Sequence, residues 1–155
     1  MRKIEGFTLI EAIIVLCIFA LISAIATPNL LSWRSNAKLR GAANNLKSDM
    51  ERAKLKAIQE NDTVVINFTE NSYKVFKDDG LTPGVYDPGE AFYGDRTLPA
   101  GVKIDLDKTN FTGESARFKG RATALPGSAV LFNTKGSVKK VTVSGLGKIS
   151  ITSDE

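Results

Sequence analysis

Apolar residues follow two different patterns along this chain, and the first is a long unbroken run. Residues 12–26 are rich in Ile, Leu, Ala and Val, with Ser23 as the one polar residue. Together with residues 7–10, the run reaches about the twenty residues that a helix needs to cross a bilayer. Thr8 and Glu11 are the polar positions near its start, and Glu11 carries the only charge. The pattern predicts a membrane-spanning helix.

A second helical pattern follows Pro28, which predicts a kink because its ring clashes with the preceding turn and it lacks an amide proton. Apolar residues then recur at spacings of three and four, which places them on one stripe of a helix; they are Leu39, Ala42, Ala43, Leu46, Met50, Ala53 and Ala57. Charged residues lie mainly off this stripe. One long helix is predicted from about residue 7 to about residue 59, with its second half packed on a sheet.

After residue 60 the pattern changes to that of β-strands. Alternating and β-branched segments predict strands at residues 63–68, 73–76, 102–106, 129–132, 138–143 and 148–151, and a loop rich in Pro, Gly and Asp at residues 77–89. The last strands are predicted to form an antiparallel meander, because parallel pairing needs crossover helices and none is predicted here. The predicted fold class is α+β: a long N-terminal helix, membrane-spanning in its first half, packed on a C-terminal antiparallel β-sheet.

Composition narrows the chemistry that the chain can perform. It has no histidine, and its one cysteine, Cys17, lies in the apolar run. A serine-histidine-aspartate catalytic site and a Cys/His zinc site are therefore excluded. We expect a protein that is not an enzyme and that needs no cofactor. The net charge of +4 hides an asymmetry, since acids dominate residues 60–95 and every charge in residues 115–148 is basic.

The N-terminal sequence supports a family assignment. Residues 3–6 (KIEG), residues 7–11 (FTLIE) and the apolar run resemble the class III leader of type IV pilins and type II secretion pseudopilins. The resemblance implies that a prepilin peptidase and methyltransferase cuts after Gly6 and methylates the new N-terminal amine on Phe7. It implies that Glu11 sets the register between neighbouring subunits.

The same resemblance implies a division of the chain and a place in the cell. Residues 1–6 would be the leader, residues 7–28 a transmembrane or filament-core helix, and residues 29–155 a periplasmic pilin-like domain. Arg2 and Lys3 precede the apolar run, so the positive-inside tendency places this end in the cytoplasm. We expect a single-pass protein of the bacterial inner membrane, present in a pilus or pseudopilus when assembled. Its implied partners are the peptidase, other pilin or pseudopilin subunits, the inner-membrane assembly platform and the membrane.

The C-terminal part carries a second resemblance. Residues 131–136 (LFNTKG) and 145–149 (GLGKI) resemble the GspH/FimT branch of pseudopilins and minor pilins, with its F-x-x-x-G turn and late glycine-initiated strand. The branch implies a minor pseudopilin of a type II secretion system, which polymerises through its N-terminal helix into a periplasmic pseudopilus. The alternative is a FimT-like minor type IV pilin that acts in pilus assembly or DNA uptake.

Two other interpretations of the N-terminus stay open. Thr8 and Glu11 fit a capping box, in which each side chain satisfies a free backbone N–H of the first helical turn. Arg2, Lys3 and the apolar run have the order of a secretory signal peptide, with residues 24–26 (AIA) as its cleavage pattern. The run is longer than a usual signal peptide and holds a carboxylate near its start, which favours the pilin-type interpretation.

Lys139, Lys140 and Lys148 are the candidates for contact with nucleic acid. FimT-like members that bind DNA carry an arginine pair after the late glycine, but Gly147 is followed by Lys148 and Ile149. Lys139 and Lys140 are adjacent, so in a strand they point to opposite faces. No aromatic residue lies between them to stack on bases. A nucleic-acid partner is therefore not expected.

A loop rich in carboxylates contains the candidate metal ligands. Asp78, Asp79, Asp87 and Glu90 lie among flexible glycines, and Ca²⁺ takes six to eight oxygen ligands. The loop lacks the alternating acids of an EF-hand. A polar loop without metal is therefore the preferred interpretation.

Overall fold

The computed structural model describes residues 7–79 and 82–154, without the side chains of residues 25–29 and 154. The predicted leader, residues 1–6 with Gly6, lies outside the described residues. The chain divides into two compact units, Met1–Arg34 and Ser35–Glu155, called unit 1 and unit 2 below. The domain boundary predicted between residues 28 and 29 stays a prediction.

One helix, α1, spans Leu9–Glu60, which confirms the single long helix expected from the apolar spacing. In unit 1, the described large apolar side chains are between 44% and 86% exposed. Among the described residues, no helix is long and apolar enough to cross a membrane. The crossing predicted for residues 7–28 stays a prediction.

In unit 2 the predicted apolar stripe of α1 is buried, with each of its seven side chains at most 2% exposed. The helix ends in a Schellman motif, with Asn61 in the left-handed region at φ 49°. The N–H of Asp62 donates to the Ala57 carbonyl at 3.1 Å, and the N–H of Asn61 donates to the Ile58 carbonyl at 3.3 Å. These two bonds satisfy carbonyls that the end of the helix would otherwise leave unpaired.

Among the described residues of unit 2, eight strands and one short 3₁₀ helix follow α1. They are β1 Val64–Phe68, β2 Ser72–Lys77, β3 Phe92–Thr97, β4 Val102–Asp105, η1 Thr112–Glu114, β5 Ser115–Phe118, β6 Gly127–Asn133, β7 Val138–Val143 and β8 Ile149–Asp154. The first sheet has the order β3-β2-β1-β5 and the second has the order β4-β6-β7-β8, and every pair of neighbouring strands is antiparallel.

Both sheets contribute to one core around the α1 stripe. Ile66 and Phe68 of β1, Leu131 of β6 and Val141 of β7 are at most 1% exposed and belong to this core. Burial of such side chains stabilises the fold by about 1.5–3 kcal/mol each before entropic costs. The prediction of a long helix packed on antiparallel β-structure is confirmed.

The strand assignment from sequence was incomplete. It missed β3 and β5, of which β5 pairs with β1 in the first sheet. The antiparallel meander predicted for the last strands is confirmed, because β6, β7 and β8 pair in sequence order. β3 (FYGDRT) is half-buried or exposed throughout and contains Gly94, and β5 has only four residues. Neither segment has the apolar alternation by which strands are recognised.

Candidate processing and assembly site

Thr8 and Glu11 form the capping box that their spacing predicts. The N–H and the hydroxyl of Thr8 each donate to Glu11 Oε2 at 3.3 Å, and the N–H of Glu11 donates to Thr8 Oγ1 at 3.3 Å. All three distances exceed the usual hydrogen-bond range, so the bonds are weak. Glu11 is exposed, and of its two carboxylate oxygens only Oε2 accepts a hydrogen bond from another described residue.

Phe7 precedes the capping box and is 86% exposed. Gly6, on the other side of the predicted cleavage point, lies outside the described residues. The structure therefore shows an accessible side chain at the predicted new N-terminus. Cleavage and methylation there stay predictions.

The apolar side chains of unit 1 lie on all sides of the helix. Ile10, Leu16 and Phe19 are 64%, 68% and 64% exposed, and Ile13 is 47% exposed. A helix that is apolar all round is normally buried in a large core or a membrane. The apolar side chains of this part of α1 are therefore not covered by other described residues of the chain.

The four candidate metal ligands make separate hydrogen bonds and ion pairs. Both oxygens of Asp78 accept the N–H of Gly84 at 3.2 Å, and Asp79 pairs with Lys77 at 3.0 Å. The other two bind backbone: Asp87 accepts the N–H of Thr82 at 3.1 Å, and Glu90 accepts the N–H of Asp87 at 2.8 Å. Across residues 7–79 and 82–154, no group of three or more His, Cys, Asp or Glu side chains could hold a metal ion. The metal-free loop stays a prediction.

Lys77 connects the start of this loop to the end of α1. Its ammonium lies 3.0 Å from both Asp62 and Asp79, and these two hydrogen bonds raise the pKa of Lys77. The pKa of Asp62 is lowered, chiefly because the N–H of Thr63 donates to its carboxylate and secondarily because Lys77 does so. The loop carboxylates are thus used in local structure.

Three contacts fix the same loop on the outer face of the first sheet. The Tyr86 ring lies between those of Phe76 and Phe92, with centroids 5.5 and 5.6 Å apart in edge contacts. Asn67 donates to the Gly84 carbonyl at 3.1 Å, and Arg117 donates to the Pro83 carbonyl at 2.8 Å. Sequence reasoning missed this anchoring, although an aromatic residue in an otherwise polar loop is a usable signal.

The late glycine occupies a turn that other residues would strain. Gly147 has φ +69°, and a Cβ there would lie 2.8 Å from the Ala122 carbonyl oxygen and 3.0 Å from the Lys54 side chain. Lys54 Nζ donates to the Gly147 carbonyl at 3.1 Å, and the N–H of Ala124 donates to the Gly145 carbonyl at 3.2 Å. The turn is therefore held between α1 and the loop after β5.

The three candidate lysines do not share one surface. Lys139 and Lys140 are adjacent on β7, so they face opposite sides of the sheet. Lys148 lies in the turn before β8, where its N–H donates to Ser144 Oγ at 3.1 Å. Lys139 instead lines a groove with Arg40 and Lys135. The sequence did not predict this group, because Arg40 is far from the two lysines along the chain.

A partly exposed ionic cluster, which the sequence did not indicate, ties α1 to the first sheet. Asp49 Oδ2 accepts the Tyr73 hydroxyl at 2.7 Å and Arg96 Nε at 2.7 Å, and Arg52 lies 3.5 Å from Oδ1. Burial, and next the Asp49 carboxylate, raise the pKa of Tyr73, and the bond to Asp49 raises that of Arg96. These residues line a cleft of about 190 Å³.

Two family models match this chain. The model described as type II transport protein GspH matches residues 42–147, which cover most of unit 2. The model of the prokaryotic N-terminal methylation motif matches residues 1–27. Among curated proteins, none matches the chain.

Solved structures with the same fold come from three bacteria. The minor pseudopilin EpsH of the Vibrio cholerae type 2 secretion system is 12% identical, with 75% of this chain and 97% of that chain covered at a TM-score of 0.56. The Pseudomonas aeruginosa type IV minor pilin FimU is 13% identical. The match covers 76% of this chain and 98% of FimU, with a TM-score of 0.57. Escherichia coli GspH is 16% identical. The match covers 76% of this chain and 89% of GspH, with a TM-score of 0.58. At these identities the likeness shows the fold alone.

Proposed function

The chain belongs to the family of type II transport protein GspH, and from this premise we propose that it is a minor pseudopilin of a type II secretion system. It has the fold of pilin-like subunits. The observation that carries the proposal is the combination of an N-terminal methylation motif over residues 1–27 with an apolar helix exposed on all sides. Such a helix is suited to a membrane before assembly and to a filament core afterwards.

We propose that a prepilin peptidase cuts after Gly6 and methylates the amine of Phe7. Glu11 of one subunit then pairs with the methylated amine of a neighbour. Such a pair in an apolar core contributes little net stability, but loss of one partner leaves an uncompensated charge that costs about 3–5 kcal/mol. Glu11 is suited to this role because its hydrogen bonds to Thr8 are long and its Oε1 accepts none from the described residues.

The proposal includes a membrane stage. Residues 7–28 cross the inner membrane, with Arg2 and Lys3 on the cytoplasmic side and residues 29–155 in the periplasm. The partners at this stage are the peptidase and the inner-membrane assembly platform. Removal of the leader precedes polymerisation with other pseudopilin subunits, and no catalytic step belongs to this chain itself.

Glu11→Gln tests the pairing and separates it from the capping box. Glutamine still caps a helix but carries no charge, so the helix is kept while the neighbour's amine loses its partner. We expect the fraction of protein cross-linked to other pseudopilin subunits in membranes to fall about tenfold or more. Glu51→Gln is the control, because Glu51 is exposed and makes only a 3.7 Å surface pair with Lys47.

Two outcomes would contradict the pairing. Either Glu11→Gln is incorporated as well as the unchanged chain, or Thr8→Val reduces incorporation while Glu11→Gln does not. The second outcome would mean that Glu11 acts only by capping the helix.

A minor type IV pilin is the second candidate function, and the likeness to FimU favours it as much as the likeness to EpsH favours the first. Deletion of the gene distinguishes the two. Loss of exported proteins from the medium supports the secretion system, whereas loss of surface pili or of DNA uptake supports the pilus.

A further inference from the structure

A recessed basic groove lies where α1 enters unit 2. It has a volume of about 430 Å³, and one wall comes from α1 while the other comes from the β6–β7 turn and the end of β8. Arg40, Lys135 and Lys139 line it, and no described carboxylate does. We call these three residues and the space between them the basic groove.

The cations of the basic groove have no acidic partners among the described residues. Arg40 and Lys135 make no ion pair or hydrogen bond with other described residues through their side chains, and Lys139 donates only to the hydroxyl of Ser153. Elsewhere in unit 2 seven cations pair with carboxylates: Lys47, Arg52, Lys56, Lys77, Arg96, Lys103 and Lys108. Three cations without described acidic partners line one groove, so the groove carries a local positive charge.

The wall that carries Lys135 is fixed before any partner arrives. Asn133 is 2% exposed, and its Oδ1 accepts the N–H groups of Lys135 and Ser137 at 3.0 Å each. Its Nδ2 donates to Asn36 Oδ1 on α1 at 2.9 Å, and the Ser137 hydroxyl donates to the same oxygen at 2.8 Å. The turn is therefore tied to the helix, and a rigid site loses less entropy on binding.

Strand geometry assigns one lysine of β7 to the groove and excludes its neighbour. Val141 and Val143 are buried in the core, and Lys139 shares their face because side chains alternate along a strand. Lys140 lies on the opposite face. The two lysines carry the same charge on the same strand and differ in the face they occupy.

We propose that the basic groove docks an acidic segment of a neighbouring subunit, an inference that rests on the proposed filament function. The charge calls for carboxylates, and hydroxyls of Ser137 and Ser153 lie beside the cations to serve the polar backbone of a peptide. No aromatic residue lines the groove, which disfavours nucleic-acid bases, and its recessed shape disfavours a flat lipid surface.

The test uses the full chain in micelles of an uncharged maltoside detergent. The probe is a fluorescent twelve-residue peptide of alternating Asp and Ser, and the reference is the same peptide with Asn in place of Asp. We expect the Asp peptide to bind and the Asn peptide not to bind. We also expect binding to weaken as salt is raised, because exposed charges are screened.

Variants locate the contact. Arg40→Gln, Lys135→Gln and Lys139→Gln are each expected to weaken binding about two- to fivefold, as loss of one exposed ion pair does. Lys140→Gln removes the same charge from the other face and is expected to leave binding unchanged. Thermal melting of each variant checks that the fold is kept. Asn36→Ala removes the hydrogen bonds that hold the turn to α1, so it is expected to weaken binding without altering charge.

Equal weakening by Lys140→Gln and Lys139→Gln would overturn the proposal, because binding would then follow net charge alone. So would equal binding of the Asn peptide, or tighter groove-dependent binding of duplex DNA or of anionic-lipid vesicles. The titration needs no filament. Its failure therefore leaves the proposed function standing, and the Glu11→Gln experiment tests that function separately.

Discussion

The two parts of α1 contain the same kinds of apolar residue but differ in what covers them. Leu16 in unit 1 is 68% exposed, whereas Leu46 in unit 2 is fully buried. In unit 2 the apolar residues recur on one stripe and two sheets pack on it. In unit 1 they lie on every side, and a single helix cannot bury them by itself. The first arrangement builds a core within the chain, and the second leaves an apolar surface exposed.

Matched leucine substitutions give the largest expected difference. Leu46→Ala opens a cavity in the core and should lower the free energy of unfolding by about 2–5 kcal/mol. Leu16→Ala removes the same atoms from an exposed site, so it should change that free energy by less than about 0.5 kcal/mol. Denaturant unfolding of the full chain in micelles, followed by circular dichroism, measures both. Similar losses in the free energy of unfolding from the two variants would contradict the difference described between the two parts of α1.

Glycine substitutions extend the comparison to the turns of unit 2. Gly147→Ala should cost about 1–3 kcal/mol, because the residue has a left-handed backbone and the Ala122 carbonyl oxygen leaves no room for a Cβ. Gly145→Ala, two residues earlier, meets nothing within 4 Å and should change stability by less than about 0.5 kcal/mol. The measurement is the melting temperature of each variant. Equal effects would mean that the turn is not packed as described.

Acid titration gives the smallest expected effect and tests the ionic contacts of unit 2. Because the pKa of Asp62 is lowered in the folded chain, its contribution is present above its ordinary value of 3.8 and is lost as pH falls through the lowered value. Asp62→Asn should therefore lower stability at pH 7 by up to about 1 kcal/mol, and the difference should shrink below pH 3.8.

Asp107→Asn is the control for this titration, since Asp107 makes no ion pair with the described residues. At pH 7 it should change stability by less than about 0.5 kcal/mol. A difference between Asp62→Asn and the unchanged chain that persists at low pH would contradict the assigned cause.

Periodicity revealed α1 and its stripe because a long amphipathic helix repeats its signal over many turns. It also predicted β1, β2 and β7, because these strands are rich in β-branched residues or alternate apolar with polar residues. It failed for β3, whose side chains are half-buried or exposed, and for β5, which is too short. These strands are defined by their partners rather than by their own residues.

Contacts between residues far apart in the sequence could not be predicted either, because they too depend on partners elsewhere in the chain. The basic groove joins Arg40 to Lys135 and Lys139, and the ionic cluster joins Asp49 to Tyr73 and Arg96. Only folding brings these positions together. Gly147 was only partly predictable. The sequence showed its motif, but the structure shows that the loop packed against it leaves no room for a side chain.

The central claim is that the chain is processed between Gly6 and Phe7 and assembles through the exposed helix. Intact-mass and N-terminal analysis of protein extracted from membranes tests this most directly. The account predicts a chain that begins at Phe7 and carries one methyl group, and it predicts that Gly6→Leu leaves residues 1–6 attached. A terminus after Ala26, unaffected by Gly6→Leu, would contradict the account and identify the apolar run as a secretory signal peptide.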